Sequence, residues 1–125
     1  MKLENAKILI GDDSILARKQ LKDVLAAFGG TCFIEAANGQ EAIDKYAVEQ
    51  PDIVFLDIVM PQKDGITAVT EIRQINPEAY IIIVSSIGTQ SQLRSAIEAG
   101  AKDFIQKPLH TDQIKTILSA KFEGR

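Results

Sequence analysis

The sequence predicts an α/β fold, a doubly wound five-stranded parallel sheet with helices on both faces. Five apolar runs of strand length alternate with five segments of helical spacing along the 125 residues, and such alternation is typical of parallel βα units. The central runs, Ile53 to Leu56 and Ile81 to Val84, are continuous and apolar, which indicates strands covered on both faces. Right-handed crossovers between these units then give a three-layer arrangement.

Each predicted element has boundary signals. The strands are predicted over residues 6–11, 32–36, 52–57, 80–85 and 102–106. Helix N-caps and stop signals fall at Ser14 and Gly29-Gly30, at Asn38 with Glu41, and at Asp64 and Pro77. The fourth helix is predicted to begin near Gln90 and to stop at Gly100, and the fifth is predicted to begin at Thr111. In the third helix an apolar stripe with helical spacing is predicted to lie in the core: Ile66, Val69, Ile72 and Ile75.

Length and composition predict a single domain over residues 1–125 with no output domain. The apolar share of 46% is enough for a core, and the net charge of −3 gives no basic surface for nucleic acid. No apolar run is long enough for a membrane span. The single Cys32 fits a reducing, cytoplasmic location, and its apolar surroundings predict a buried thiol.

The most informative residues follow three of the predicted strands. Asp12-Asp13 follows the first, Asp57 follows the third, and Lys107 follows the fifth. Because neighbouring parallel strands end at the same edge of a sheet, we expect these side chains to share one pocket, where open α/β sheets bind ligands.

Three ionised carboxylates in one pocket repel one another unless a cation joins them. An all-oxygen site favours a hard divalent ion, Mg²⁺ or Mn²⁺. Lys107 offers a point charge for phosphate, and Ser85, at the end of the fourth strand, offers a hydroxyl. The set indicates a site that stabilises a phosphoryl group on or beside a carboxylate, and an aspartate can itself be the nucleophile.

In these motifs the chain resembles the receiver domains of two-component response regulators. The motifs are Asp12-Asp13, Asp57 to Pro61 with Asp64-Gly65, Ser85, and Lys107-Pro108, and the resemblance covers nearly the whole chain. It implies a flavodoxin-like fold. The stretch from Ala96 to Ile105 is most similar to stand-alone receivers of the chemotaxis type.

The resemblance also implies residue roles. Asp57 would accept a phosphoryl group from the phosphohistidine of a histidine kinase. Mg²⁺ would be held by the carboxylates of Asp13 and Asp57, by Asp12 directly or through water, and by the backbone carbonyl of Val59.

The remaining implied roles concern the response to phosphorylation. Lys107 would pair with Asp57 at rest and with a phosphoryl oxygen afterwards, and its bond to Pro108 would be cis. Ser85, preferred over Ser86, would bind the phosphoryl group, and Phe104 would turn inward behind it. These two residues form the predicted switch.

The chain departs from the family pattern at three positions. Gly11 stands where a β-branched residue is usual, so we expect looser packing beside the acid pair. Phe104 lacks the hydroxyl that many chemotaxis receivers carry there, so a partner contact through that hydroxyl is absent. Ser86 is larger than the residue often found after the switch hydroxyl.

The resemblance implies that the side chains of Val59 and Ile87 flank the water that would hydrolyse an aspartyl phosphate. Both are apolar and can neither orient nor activate that water. We therefore expect slow self-dephosphorylation and a separate phosphatase. Self-phosphorylation and this slow reversal are the only chemistry predicted, so the chain is not expected to be an enzyme.

Several functions stay open at this point. A switch would change the face formed by the fourth helix, fifth strand and fifth helix and then bind a target such as a flagellar motor switch protein. A phosphorelay intermediate would pass its phosphoryl group to a histidine phosphotransfer protein. A Mg²⁺-dependent aspartyl phosphohydrolase is disfavoured because the short connections offer no cap to hold a substrate, and an unphosphorylated scaffold would leave the acidic set without a role. The oligomeric state is predicted to be a monomer or weak dimer, with no nucleic-acid or membrane partner.

Overall fold

The computed structural model describes residues 1–86 and 89–123. The strands are β1 (Lys7–Gly11), β2 (Cys32–Ala36), β3 (Ile53–Leu56), β4 (Ile81–Ser85) and β5 (Asp103–Gln106). The helices are α1 (Ile15–Ala27), α2 (Gly39–Glu49), α3 (Gly65–Ile75), α4 (Gln90–Ala99) and α5 (Thr111–Lys121). These bounds agree with the predicted elements to within about two residues, and a short 3₁₀ helix (Leu3–Asn5) was not predicted.

All strands are parallel and form one sheet in the order β2-β1-β3-β4-β5. The predicted doubly wound fold is confirmed. The chain moves outward from β1 in both directions, so the topological switch point lies between β1 and β3, where such sheets bind ligands. Gly11 marks this point, because it is in register with Ala36 on one side and Leu56 on the other.

The predicted N-caps hold three helices in place. Ser14 Oγ accepts a hydrogen bond from Ala17 N at 3.1 Å, and Asp64 Oδ1 accepts one from Thr67 N at 2.8 Å. Asn38 Oδ1 accepts one from Glu41 N at 2.7 Å. By satisfying free N–H groups of the first turn, these side chains fix where each helix begins after its loop.

The sheet separates two apolar layers. On one face Leu9, Val54 and Leu56 pack with α2, α3 and α4. On the other face Ile10 and Phe55 pack with α1 and α5. The alternation of side chains along each strand places successive residues in opposite layers. Helices cover both faces of the sheet, which accounts for the continuous apolar strands.

Two core predictions were wrong. Cys32 is exposed, because it begins β2 and β2 is an edge strand. Ile75 is 46% exposed at the end of α3, where the buried stripe has already ended at Ile72. Over the described residues, no helix combines the length and apolar character that a membrane span requires.

Candidate functional site

The predicted acidic residues meet at the carboxyl edge of the sheet. Asp12, Asp13 and Asp57 each offer one carboxylate oxygen, and the three oxygens lie within 4.8 Å of one another. Asp12 and Asp57 are 5% and 9% exposed, whereas Asp13 is exposed. The sequence brings them together because β1 and β3 are neighbours in register, so the residues that follow them share one edge.

Asp12 is held at three points. Its Oδ1 accepts a hydrogen bond from Ser14 N at 2.9 Å, and its Oδ2 accepts one from Lys107 Nζ at 2.8 Å. Its backbone oxygen accepts a third from Arg18 Nη1 at 2.6 Å. The Asp12 carboxylate is therefore fixed by the start of α1 and by the loop after β5.

Lys107 bridges two of the carboxylates unequally. Its Nζ lies 2.8 Å from Asp12 Oδ2 and 3.4 Å from Asp57 Oδ2, so the predicted resting pair with Asp57 is present but Asp12 is the closer partner. Partial burial by itself lowers the pKa of Lys107. The hydrogen bond to Asp12 and the charges of Asp57 and Asp12 outweigh that effect, so the pKa lies above the ordinary lysine value.

The backbone of Lys107 is also anchored. Its N–H donates to the carbonyl oxygen of Ser85 at 2.8 Å, and its bond to Pro108 is cis, as predicted. The ammonium group thus reaches the acids from a fixed position at the end of β5.

One oxygen of Asp57 indicates whether the site suits a cation. Within residues 1–86 and 89–123, its Oδ1 is the one buried side-chain oxygen or nitrogen that has no hydrogen-bond partner. A buried carboxylate oxygen without a donor is costly. A hard cation would satisfy it, and Asp12 and Asp13 supply the further oxygens that Mg²⁺ prefers. The donor set therefore fits a divalent cation.

The end of the loop between β3 and α3 returns close to the backbone of Asp57. A Cβ added to Gly65 would lie 2.0 Å from the carbonyl oxygen of Asp57, and Gly65 N donates to Ile58 O at 2.7 Å. Only a glycine allows this approach. Gln62 in the same loop has a φ of 63°, which is unusual for a side chain of this size.

The packing expected around Gly11 was wrong. A Cβ at Gly11 would lie 2.6 Å from Leu56 Cδ2, so the neighbouring leucine already occupies the space. The two strands are closely packed beside the acids, because the Leu56 side chain on β3 fills the space that a side chain of residue 11 on β1 would occupy.

The other predicted residues that the structure describes differ in burial. Ser85 is fully buried at the end of β4, whereas Ser86 is exposed. Phe104 on β5 is partly buried against the layer of α2, α3 and α4. Val59 follows Asp57 by two residues and its side chain is 55% exposed. Ile87 lies outside the described residues.

Arg18 belongs to the site although the sequence did not single it out. Its guanidinium joins the Asp12 carbonyl to Glu35 Oε1, which lies 3.0 Å from Nε. The hydrogen bond from Arg18 lowers the pKa of Glu35, against the effect of burial and with the help of the Lys22 charge. One signal was available, because Arg18 follows the cap Ser14 by one helical turn and so lies near the start of α1.

Comparisons with known proteins identify a family for this chain. The family described as response regulator receiver domain matches residues 8–119. The chemotaxis protein CheY of Bacillus subtilis is 48% identical over 108 residues, which cover 86% of this chain and 90% of that protein. CheY of Thermotoga maritima is 44% identical over 113 residues, 90% of this chain and 94% of that protein.

A solved structure adds the same fold with a ligand. The CheX–CheY–BeF₃–Mg²⁺ complex from Borrelia burgdorferi has a chain with a TM-score of 0.85 and 36% identity, covering 91% of this chain and 87% of that one. Family match, sequence identity and fold all lead to one assignment. The chain belongs to the response regulator receiver domains of two-component signalling, and within them it is of the CheY type.

Proposed function

We propose that the chain is a phospho-accepting switch in which Asp57 takes a phosphoryl group from a histidine kinase with the help of Mg²⁺. Family membership supports the signalling role. The observation that carries the chemical proposal is the Asp57 carboxylate. It is buried and ionisable, and its Oδ1 has no partner among the described residues.

The surroundings of Asp57 suit an attack on phosphorus. One Asp57 oxygen would form the new P–O bond while the N–P bond of the donor phosphohistidine breaks and its electron pair returns to the imidazole nitrogen. Asp12 and Asp13, with the Val59 carbonyl, would hold Mg²⁺ beside this oxygen. When bound, the ion supplies neutralisation of the charge on the transferring group.

Lys107 would act on the product. Its Nζ already lies 3.4 Å from Asp57 Oδ2, so a small movement away from Asp12 would bring it to a phosphoryl oxygen. An ammonium group is suited to that contact because it is a compact point charge with three donors. The loss of the Asp12 contact would be offset by the contact between Asp12 and the metal ion.

Phosphorylation would be read out through Ser85 and Phe104. Ser85 lies buried at the end of β4, and Phe104 is partly buried on neighbouring β5. Movement of Ser85 toward the phosphoryl group would make room for the Phe104 ring to turn inward. The face formed by α4, β5 and α5 would change with it, and this face exposes Leu93 and Ile97 for a partner.

The relatives support the proposed partners. The donor would be a histidine kinase, and the target a flagellar motor switch protein or a protein like the CheX that accompanies CheY in the Borrelia burgdorferi complex. Two points stay predictions. The first is that the chain acts as a stand-alone domain in the cytoplasm. The second is the relay alternative, in which the phosphoryl group passes to a histidine phosphotransfer protein.

Slow self-dephosphorylation is part of the proposal. Val59 is apolar and 55% exposed beside Asp57, so its side chain offers no hydrogen bond to a hydrolytic water. Val59→Asn is expected to accelerate loss of the phosphoryl group, followed by mass spectrometry after the donor is removed. An unchanged decay rate would exclude this role for Val59.

The chemical proposal is tested with an acyl phosphate as donor and intact-mass spectrometry as readout. Wild type with Mg²⁺ is expected to gain one phosphoryl group, and Asp57→Asn none. Asp52→Asn is the matched control, because Asp52 is a carboxylate at the opposite edge of the sheet and should leave the reaction unchanged. Phosphorylation of Asp57→Asn to the wild-type extent would place the acceptor elsewhere.

A further inference from the structure

Gly11 and Leu56 form a size-matched pair on neighbouring strands. They are partners in the register of β1 and β3, and the Leu56 Cδ2 atom occupies the position of the missing side chain, 2.6 Å from where a Cβ of residue 11 would lie. Real Cβ atoms do not approach carbon atoms so closely, since the optimum separation is about 3.5–4.0 Å. The two side-chain sizes are therefore coupled.

Each member of the pair directly precedes one of the acidic residues. Asp12 follows Gly11, and Asp57 follows Leu56. Asp57 N donates to the Gly11 carbonyl oxygen at 2.9 Å, and Asp12 N donates to the Ala36 carbonyl oxygen at 3.0 Å. A change in the spacing of Gly11 and Leu56 is thus passed directly to the backbone of Asp57.

Leu56 would have to shift within the core to admit a side chain at residue 11. Leu56 is fully buried, and the added Cβ would also touch Ala42 Cβ at 3.7 Å and Met60 Sδ at 3.8 Å, which are ordinary contact distances. Met60 belongs to the loop between β3 and α3. Because interiors are close-packed, displacement of Leu56 would move β3 or this loop rather than fill a void.

We infer that Gly11 is a positioning residue, which sets the distance between the Asp12–Asp13 pair and Asp57 through its contact with Leu56. The inference rests on the proposed Mg²⁺ site. On this inference, a glycine at residue 11 serves the geometry of the carboxylates and not only the packing of the core.

A double-mutant cycle on Mg²⁺ affinity tests the inference. Gly11→Ala adds one carbon atom and Leu56→Val removes one, so the double variant keeps the volume of the pair. Mg²⁺ dissociation constants are measured by NMR titration without any phosphodonor. Gly11→Ala is expected to weaken Mg²⁺ binding about tenfold, as for other residues that orient metal ligands.

Leu56→Val removes lateral support from Asp57 and is expected to weaken binding about threefold, while the double variant returns to within about twofold of wild type. This second single variant also keeps the test decisive if Gly11→Ala folds poorly. Unchanged affinity in the foldable single variants, or a double variant that binds no better than the weaker of them, would overturn the inference. A wild type that binds no Mg²⁺ would instead overturn the proposed function on which it rests.

Gly30→Ala separates positioning from general overpacking. A Cβ at Gly30 would lie 3.0 Å from Phe33 Cζ and 3.1 Å from Ile8 Cδ1, which crowds the core near the start of β1 and away from the acids. This variant is expected to lower the urea midpoint and keep the Mg²⁺ dissociation constant of wild type. A loss of affinity equal to that of Gly11→Ala would show that destabilisation alone accounts for the effect and would overturn the inference.

Discussion

At each of two opposite edges of the sheet, one lysine contacts two carboxylates. At the carboxyl-edge cluster, Lys107 contacts Asp12 and Asp57 at 2.8 and 3.4 Å. At the amino-edge cluster, Lys7 Nζ contacts Glu49 Oε1 at 3.4 Å and Lys7 N donates to Asp52 Oδ2 at 2.8 Å. The residue types are nearly the same, so composition does not distinguish the two.

Burial distinguishes them. The Lys7 and Glu49 side chains are 48% and 43% exposed, whereas those of Lys107, Asp12 and Asp57 are 26%, 8% and 11% exposed. Water screens the amino-edge charges, and pairs of that kind contribute about 0–1 kcal/mol. The carboxyl-edge charges are shielded from water, and Asp57 keeps an oxygen without a partner in the described part of the chain. Excess buried charge creates the demand for a ligand.

The largest expected difference concerns Mg²⁺ affinity. Asp12→Asn removes one of the three charges at the proposed cation site and is expected to weaken Mg²⁺ binding by tenfold or more, on the order of the known cost of altered metal-site residues. Glu49→Gln removes one charge from the amino-edge cluster and should leave the affinity unchanged. NMR titration of both variants checks this, and equal affinities would contradict the distinction.

Removing the lysine should cost more stability at the carboxyl-edge cluster than at the amino-edge cluster. Without divalent cations, Lys107→Met leaves Asp12 and Asp57 without their shared counter-ion and is expected to lower the free energy of unfolding by about 1–3 kcal/mol. Lys7→Met affects a screened pair and should cost less than about 1 kcal/mol. Urea denaturation measures both values. Similar losses would mean that burial does not decide the strength of these contacts.

Alkaline pH should act on the same contact with a smaller effect. The pKa of Lys107 is raised in the folded chain, so between the unfolded and folded values the folded chain holds more protons. The stabilisation is complete below the unfolded value and decreases as pH rises through the folded value. As pH rises above the ordinary pKa of lysine, the free energy of unfolding should therefore fall further in wild type than in Lys107→Met. Parallel pH profiles would contradict the raised pKa.

The smallest expected effects involve a glutamine near each edge. Gln62 follows β3 with a φ of 63°, and Gln50 precedes β3 with a φ of 47°. Glycine adopts such angles without steric cost, so Gln62→Gly and Gln50→Gly are each expected to raise the free energy of unfolding by at most about 1 kcal/mol. Thermal unfolding measures both. A loss of stability in Gln62→Gly alone would show that its side chain supports the site loop.

Local patterns in the sequence predicted the parallel elements and the meeting of Asp12, Asp13, Asp57 and Lys107, because strand ends can be read residue by residue. Other features depend on which strands are neighbours. Cys32 is exposed because β2 lies at an edge, and an apolar stretch does not reveal strand order. The tight contact of Gly11 with Leu56 requires the register of β1 and β3. The closer pairing of Lys107 with Asp12 requires three-dimensional distances that no spacing contains.

The central claim is that the carboxyl-edge cluster, through Asp57, controls the face formed by α4, β5 and α5. The most direct test is an NMR titration with beryllofluoride, which mimics a phosphoryl group on a carboxylate, in the presence and absence of Mg²⁺. Wild type and Asp52→Asn should show saturable, Mg²⁺-dependent shifts that reach Phe104 and Ile97, and Asp57→Asn should show none. Wild type without saturable shifts, or Asp57→Asn responding as wild type does, would contradict the account.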